Sequence, residues 1–167
     1  MTTSPSSSYS STQSELSTSQ PASEVLSSAL FLLSNFFERF AFYGVRWATV
    51  VHRTAWVSPT ATLAPGAVVF AGAVVQTGAA LGAHAVVNTG AVIEHDVIVG
   101  DFTLAAPGVV VGGGTVIGSD AYLGLGCRIR DHLQIGAGVT VGMGAVVTRS
   151  VRDGVTVTGV PACERKD

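Results

Sequence analysis

Of the four histidines in this chain, His95 has the neighbours that could put an imidazole to work. It lies in Ala91-Val-Ile-Glu-His-Asp-Val-Ile-Val-Gly100, between Glu94 and Asp96 in a stretch that is otherwise aliphatic. A carboxylate beside an imidazole stabilises the protonated ring and fixes its tautomer, which is what a general base needs. Adjacent residues on a strand point to opposite faces, so a His95–Asp96 contact requires the chain to turn here. Eighteen residues further on is Gly113, inside the run Gly112-Gly113-Gly114. A glycine run lets backbone N–H groups approach a ligand and face a developing oxyanion. Two readings stand from these residues: a general base with an oxyanion donor, or a surface histidine with incidental acidic neighbours.

What would position these residues is a repeat. Counting in sixes from Val57 gives Val57, Leu63, Val69, Val75, Leu81, Val87, Ile93, Val99, Ala105, Val111, Ile117, Leu123, Ile129, Ile135, Val141 and Val147. Neither a helix (3.6) nor an alternating strand (2.0) has that period. Hexapeptide repeats indicate a parallel β-helix, so the spacing predicts an all-β, single-stranded solenoid. Four places after each aliphatic residue sits something small or slender, and the place directly after the aliphatic residue is often glycine, as at Gly82, Gly100, Gly112, Gly118, Gly124, Gly136 and Gly142. Those glycines are expected to mark the corners, through positive φ or close backbone approach. Three hexads make a triangular coil of eighteen residues, stacked about 4.8 Å above the next. His95 then lies directly beneath Gly113. His84 and His132, three places after their aliphatic residues, are expected to point outward as solvated or interface residues, and His52 reads as structural.

Composition narrows the class further. The chain has 167 residues and a mean hydropathy of +0.48, yet no eighteen apolar residues run uninterrupted. That suits a solenoid core better than a membrane bundle. A net charge of −2 predicts no bulk attraction to nucleic acid. Six of the nine Lys and Arg residues lie beyond Cys127, where they read either as a polyphosphate site or as ordinary solvated charge. Two cysteines, Cys127 and Cys163, make neither a disulfide framework nor a metal site, and the cytoplasm is the default compartment. Residues 1–24 are Ser/Thr-rich and expected to be a disordered tail. Residues 25–46 are apolar and expected to form one short helix, read either as a cap on the first coil or as a membrane-surface helix through 25–43. The β-helix is expected over 47–162, with a C-terminal tail over 163–167.

Five segments make the match more specific: VVHRTAWVSPTA (50–61), NTGAVIEHDVIVGDF (88–102), APGVVVGGG (106–114), VGMGAVVTRSV (141–151) and GVPA (159–162). They resemble the bacterial sugar O- and N-acyltransferases of the sialic-acid O-acetyltransferase and UDP-4-amino-sugar N-acetyltransferase type. The resemblance implies a left-handed β-helix and a homotrimer. Acetyl-CoA would be the acyl donor, a sugar or nucleotide-sugar the acceptor, and no metal would be needed. It implies His95 as proton acceptor, Asp96 as the group raising its basicity, and the backbone around Gly113 as oxyanion receiver. Acetyl-CoA would lie between protomers near Leu104, Leu125 and Met143. A second histidine is common in the family nine residues after the base; here that position is Leu104. The family's N-terminal nucleotide-sugar domain is expected to be absent. Two competing functions remain open. One is a non-catalytic trimeric scaffold. The other is a metalloenzyme of the γ-type carbonic anhydrase kind, disfavoured because His84, His95 and His132 are not spaced to converge.

Overall fold

A computed structural model describes residues 47–165, so the tail expected over 1–24 and the helix expected over 25–46 lie outside the described residues. Within them the chain winds through about six turns of a left-handed parallel β-helix. Each turn contributes one short strand to each of three sheets. The first face stacks Val50–Val51, Val68–Val69, Val86–Val87, Leu104–Ala105, Tyr122–Leu123, Thr140–Val141 and Thr156–Thr158. The second runs from Trp56–Val57 to Val146–Val147 and the third from Thr62–Leu63 to Gln134–Ile135. Register is eighteen up to Val147, as where Val75 pairs with Ile93, Ile93 with Val111 and Val111 with Ile129, and shortens to sixteen in the last turn, where Val141 pairs with Val157. Among the described residues no helix is long and apolar enough to cross a membrane.

The second residue of each strand points inward and fills the prism. Val75, Ile93, Val111, Leu123 and Val141 are fully buried, as are the slender residues Ala73, Ala79, Ala85 and Ala91. Ala105 breaks the aliphatic series because volume has moved within its turn. Where the preceding turn has Ala79, Ala85 and Ala91, this one buries Val97, Thr103 and Val109, which leaves less room for a large residue at 105. The two core threonines are satisfied: Thr103 Oγ1 donates to Gly118 O at 2.7 Å and Thr115 Oγ1 to Arg130 O at 3.1 Å. Cys127 is buried in the same column, and its desolvated thiol is pushed up to about 12.

Corners follow a rule that differs from the sequence expectation. Positive φ recurs every six residues from Gly66 to Gly144, three places after each inward aliphatic residue. Five of these left-handed positions are not glycine: His84, Asp96, Phe102, Asp120 and His132. The glycines directly after the aliphatic residues are not left-handed. They are small because the next turn passes close by; a Cβ on Gly112 would stand 2.5 Å from Asp131 N, and one on Gly100 2.5 Å from Ser119 N.

The upper end closes with Cys163–Glu164, which pairs antiparallel with Thr156–Thr158. Arg152 secures it with two hydrogen bonds to the Glu164 carboxylate, Nε to Oε1 at 3.1 Å and Nη2 to Oε2 at 2.8 Å. Those bonds hold the Glu164 carboxyl below, and the Arg152 guanidinium above, their ordinary values.

Packing of this kind penalises change in both directions. Leu123→Ala is expected to lower unfolding free energy by about 2–5 kcal/mol, and Ala105→Leu, which overfills its turn, by about 1–3 kcal/mol. Urea midpoints measure both; a stabilised Ala105→Leu variant would contradict the volume exchange.

Candidate active site

The corner between the second and third faces carries the candidate chemistry. After the strand Val92–Ile93 the chain turns through Glu94, His95 and Asp96 before Val97 re-enters the core. Asp96 takes the left-handed position, with φ of 58°, and its amide donates to Thr77 O at 2.9 Å. This turn lets neighbouring side chains meet: His95 Nδ1 lies 3.0 Å from Asp96 Oδ2. One turn below is Gly78, where a side chain would collide with the Asp96 carboxylate. The dyad therefore depends on an empty place beneath it.

The other ring nitrogen is aimed at the turn above. A Cβ built on Gly113 would stand 2.5 Å from His95 Nε2, so any residue larger than glycine there displaces the ring. With Nδ1–H donating to Asp96, Nε2 is left as the basic nitrogen. Gly114 N donates to His95 O at 2.9 Å, and Gly113 O accepts from His132 N at 2.9 Å. Among the described residues the Gly113 N–H has no partner.

At two other corners a carboxylate one turn above takes up the amide at this place. Asp101 accepts from Ala83 N at 2.7 Å and Asp153 from Ala137 N at 3.0 Å. Asp131 stands in the equivalent place above Gly113, but its oxygens lie 4.0 Å from Arg130 Nε and 4.0 Å from His132 Nε2 instead. An unbonded N–H next to a basic imidazole nitrogen is the pairing needed to take a proton and receive an oxyanion.

The remaining expected site residues lie elsewhere on the chain. Leu104 is half a turn from His95, facing outward on the first face between Val86 and Tyr122. Leu125 and Met143 are exposed at the corner between the first and second faces, one turn apart. One chain thus brings together His95, Asp96 and Gly113 but not Leu104, Leu125 or Met143. Nor is the His95 corner enclosed. A shallow groove of about 630 Å³ lies on the upper third face, against Val116, Gln134 and Arg152, while the His95 and Asp96 side chains are 58% and 70% exposed.

Solved structures give the comparison a chemical sense. The acetyltransferase domain of PglB from Neisseria gonorrhoeae is 38% identical, with a TM-score of 0.78 over 79% of this chain. The same domain in complex with acetyl coenzyme A gives 38% and 0.77. Its solved relatives are hexapeptide-repeat sugar N-acetyltransferases. PerB from Caulobacter crescentus, in complex with CoA and GDP-perosamine, is 32% identical with a TM-score of 0.64 over 81% of this chain. The chain spans 64% of the PglB domain and 65% of PerB, under two thirds of each. AntD, an N-acyltransferase from Bacillus cereus, is 16% identical with a TM-score of 0.56 and shares the fold alone. No protein-family model matches the chain, and no curated protein does.

Against this acetyltransferase fold the other histidines fall into place. His52 caps its own corner, Nδ1 accepting from Thr54 N at 3.2 Å. His84, expected as a solvated or interface residue, is half buried instead. It stacks on Phe102 at 5.0 Å and meets the edge of Trp47 at 5.3 Å. Among the described residues no three His, Cys, Asp or Glu side chains converge as metal ligands. His132, expected as a solvated or interface residue, is exposed, and a Cβ on Gly114 would stand 2.5 Å from its Nδ1. The signal was present, since His132 is eighteen residues above Gly114 as Gly113 is above His95.

The glycine above His95 is directly testable. Gly113→Ala is expected to keep the thermal midpoint within a few degrees, because the atom in its way is the mobile end of a side chain. A crystal structure of the variant should show the imidazole swung away and the Asp96 contact broken; an unmoved ring would contradict the geometry.

Proposed function

We propose that the protein is an acetyl-CoA-dependent acyltransferase that acetylates an amine or hydroxyl of a sugar or nucleotide-sugar, with His95 as general base. One observation carries the reading. His95 is tied to Asp96 through Nδ1 and offers Nε2 beside the unpartnered Gly113 N–H, in a chain 38% identical to an acetyltransferase domain solved with acetyl coenzyme A. The acceptor class follows from PerB, solved with GDP-perosamine.

The acceptor nitrogen or oxygen attacks the thioester carbon while Nε2 removes its proton. Negative charge gathers on the former carbonyl oxygen, where the Gly113 N–H donates. The tetrahedral adduct collapses, the carbon–sulfur bond breaks, and the CoA thiolate takes the proton back from His95. Asp96 holds the ring and stabilises its charged form throughout. A positioned base contributes about 10²–10⁴-fold, and an oxyanion donor about 10²–10³-fold.

A homotrimer is part of the proposal. Each of the three faces carries exposed apolar residues at outward positions, with Val50, Trp56, Ile98 and Val116 between 40% and 53% exposed. With Leu104, Leu125 and Met143 on other faces, acetyl-CoA reaches them and His95 together only if a second chain supplies them. Free thiols at Cys127 and Cys163 suit the cytoplasm.

A second reading, a non-catalytic trimeric scaffold, draws on Leu104, an aliphatic side chain where the family commonly has a histidine. Turnover separates the two. With GDP-perosamine or dTDP-4-amino-4,6-dideoxyglucose present, the protein is expected to release CoA thiol from acetyl-CoA, and His95→Ala to lower that rate about 10²–10⁴-fold. Binding of CoA without turnover across a broad acceptor panel would leave the scaffold.

A further inference from the structure

His132 meets the same glycine run from the opposite side. Its φ of 53° turns the side chain down onto Gly114, with Nδ1 2.5 Å from where a Cβ would stand, while His95 Nε2 stands at the same distance from a Cβ on Gly113. These two glycines have Cα atoms about 3.8 Å apart. Two imidazoles therefore stand at neighbouring glycines, His95 reaching up from the turn below and His132 down from the turn above, each in the space that a side chain at Gly113 or Gly114 would take. Each has a carboxylate behind it: Asp96 at 3.0 Å from His95 Nδ1, and Asp131 at 4.0 Å from His132 Nε2.

The fold does not need an imidazole at this corner. Its side chain is 74% exposed, so it fills no core. A left-handed backbone is strained for any residue with a Cβ and relaxed for glycine, which stands at the same place one turn below. An imidazole both donates and accepts hydrogen bonds, as does a hydroxyl.

We propose that His132 is an acceptor-contacting residue that hydrogen-bonds a hydroxyl on the ring carbon next to the one whose amine or hydroxyl His95 deprotonates. This rests on the acyltransferase reading for the role of His95. It makes the Gly113–Gly114 corner, with one imidazole from each side, a two-point reader of neighbouring substituents on a sugar.

The backbone supplies an unusually clean test, because His132→Gly relieves strain and is expected to keep or raise the thermal midpoint. With dTDP-4-amino-4,6-dideoxyglucose as probe, the variant should raise KM for the sugar nucleotide about tenfold, the loss of roughly one hydrogen bond. KM for acetyl-CoA should stay unchanged, and His132→Gln should recover part of the loss. Calorimetric binding of the same sugar nucleotide should weaken by the same factor, without requiring turnover. Equal KM and equal binding in both proteins overturn the role of His132 while His95-dependent turnover keeps the acyltransferase reading. If the protein binds the probe without releasing CoA thiol, that reading fails, and the difference in binding still decides His132. If neither protein binds it, His132 has no such role.

Discussion

Hydrogen bonds between successive turns set the register at eighteen, and every chemical feature of this chain inherits its neighbour from that number. Val74 N donates to Ala91 O and Gln76 N to Ile93 O, each at 2.9 Å, and the same arrangement repeats along the prism. Up to Val147 the ladder keeps this spacing, so the partner of an outward residue there is known from the sequence. Asp96 lies on Gly78, His95 under Gly113 and His132 on Gly114. A one-residue insertion between 97 and 112 would separate His95 from Gly113 and leave the other two pairs in register.

Glycine does two different jobs around that ladder, and the candidate site uses both. At the place directly after an inward aliphatic residue, glycine admits the backbone of the next turn, as Gly112 admits Asp131. At the left-handed place it relieves the corner itself, as at Gly78 and Gly114. Gly113 belongs to neither set. Its φ is not left-handed, and the atoms a Cβ would meet belong to the His95 ring. Gly113 makes room for a side chain rather than for backbone, and it falls beside the one imidazole held by a carboxylate at 3.0 Å.

Much of this was legible beforehand because the period of six is written directly in Val57, Leu63, Val69 and their successors. The vertical relation of His95 to Gly113 followed from the same count. Less legible was the corner conformation. The sequence shows glycine most conspicuously after the aliphatic residues, whereas the left-handed place holds His, Asp and Phe often enough to hide its pattern. For that reason the Asp96 turn, which brings adjacent side chains together, could be required but not located. The contact of His132 with Gly114 was hidden for the same cause, since a left-handed corner directs an outward side chain down onto the preceding turn. Leu104, Leu125 and Met143 illustrate a different limit: the role proposed for them depends on a second chain, which no count along one chain can place.

The proton acceptor and the oxyanion donor are proposed to act on one thioester, at one corner. A crystal structure of the protein with acetyl-CoA measures this directly. The thioester carbonyl oxygen should lie at hydrogen-bond distance, about 2.7–3.2 Å, from Gly113 N, with His95 Nε2 facing the thioester carbon. A thioester bound at another corner, or one whose carbonyl points away from Gly113, would contradict the assignment of both residues.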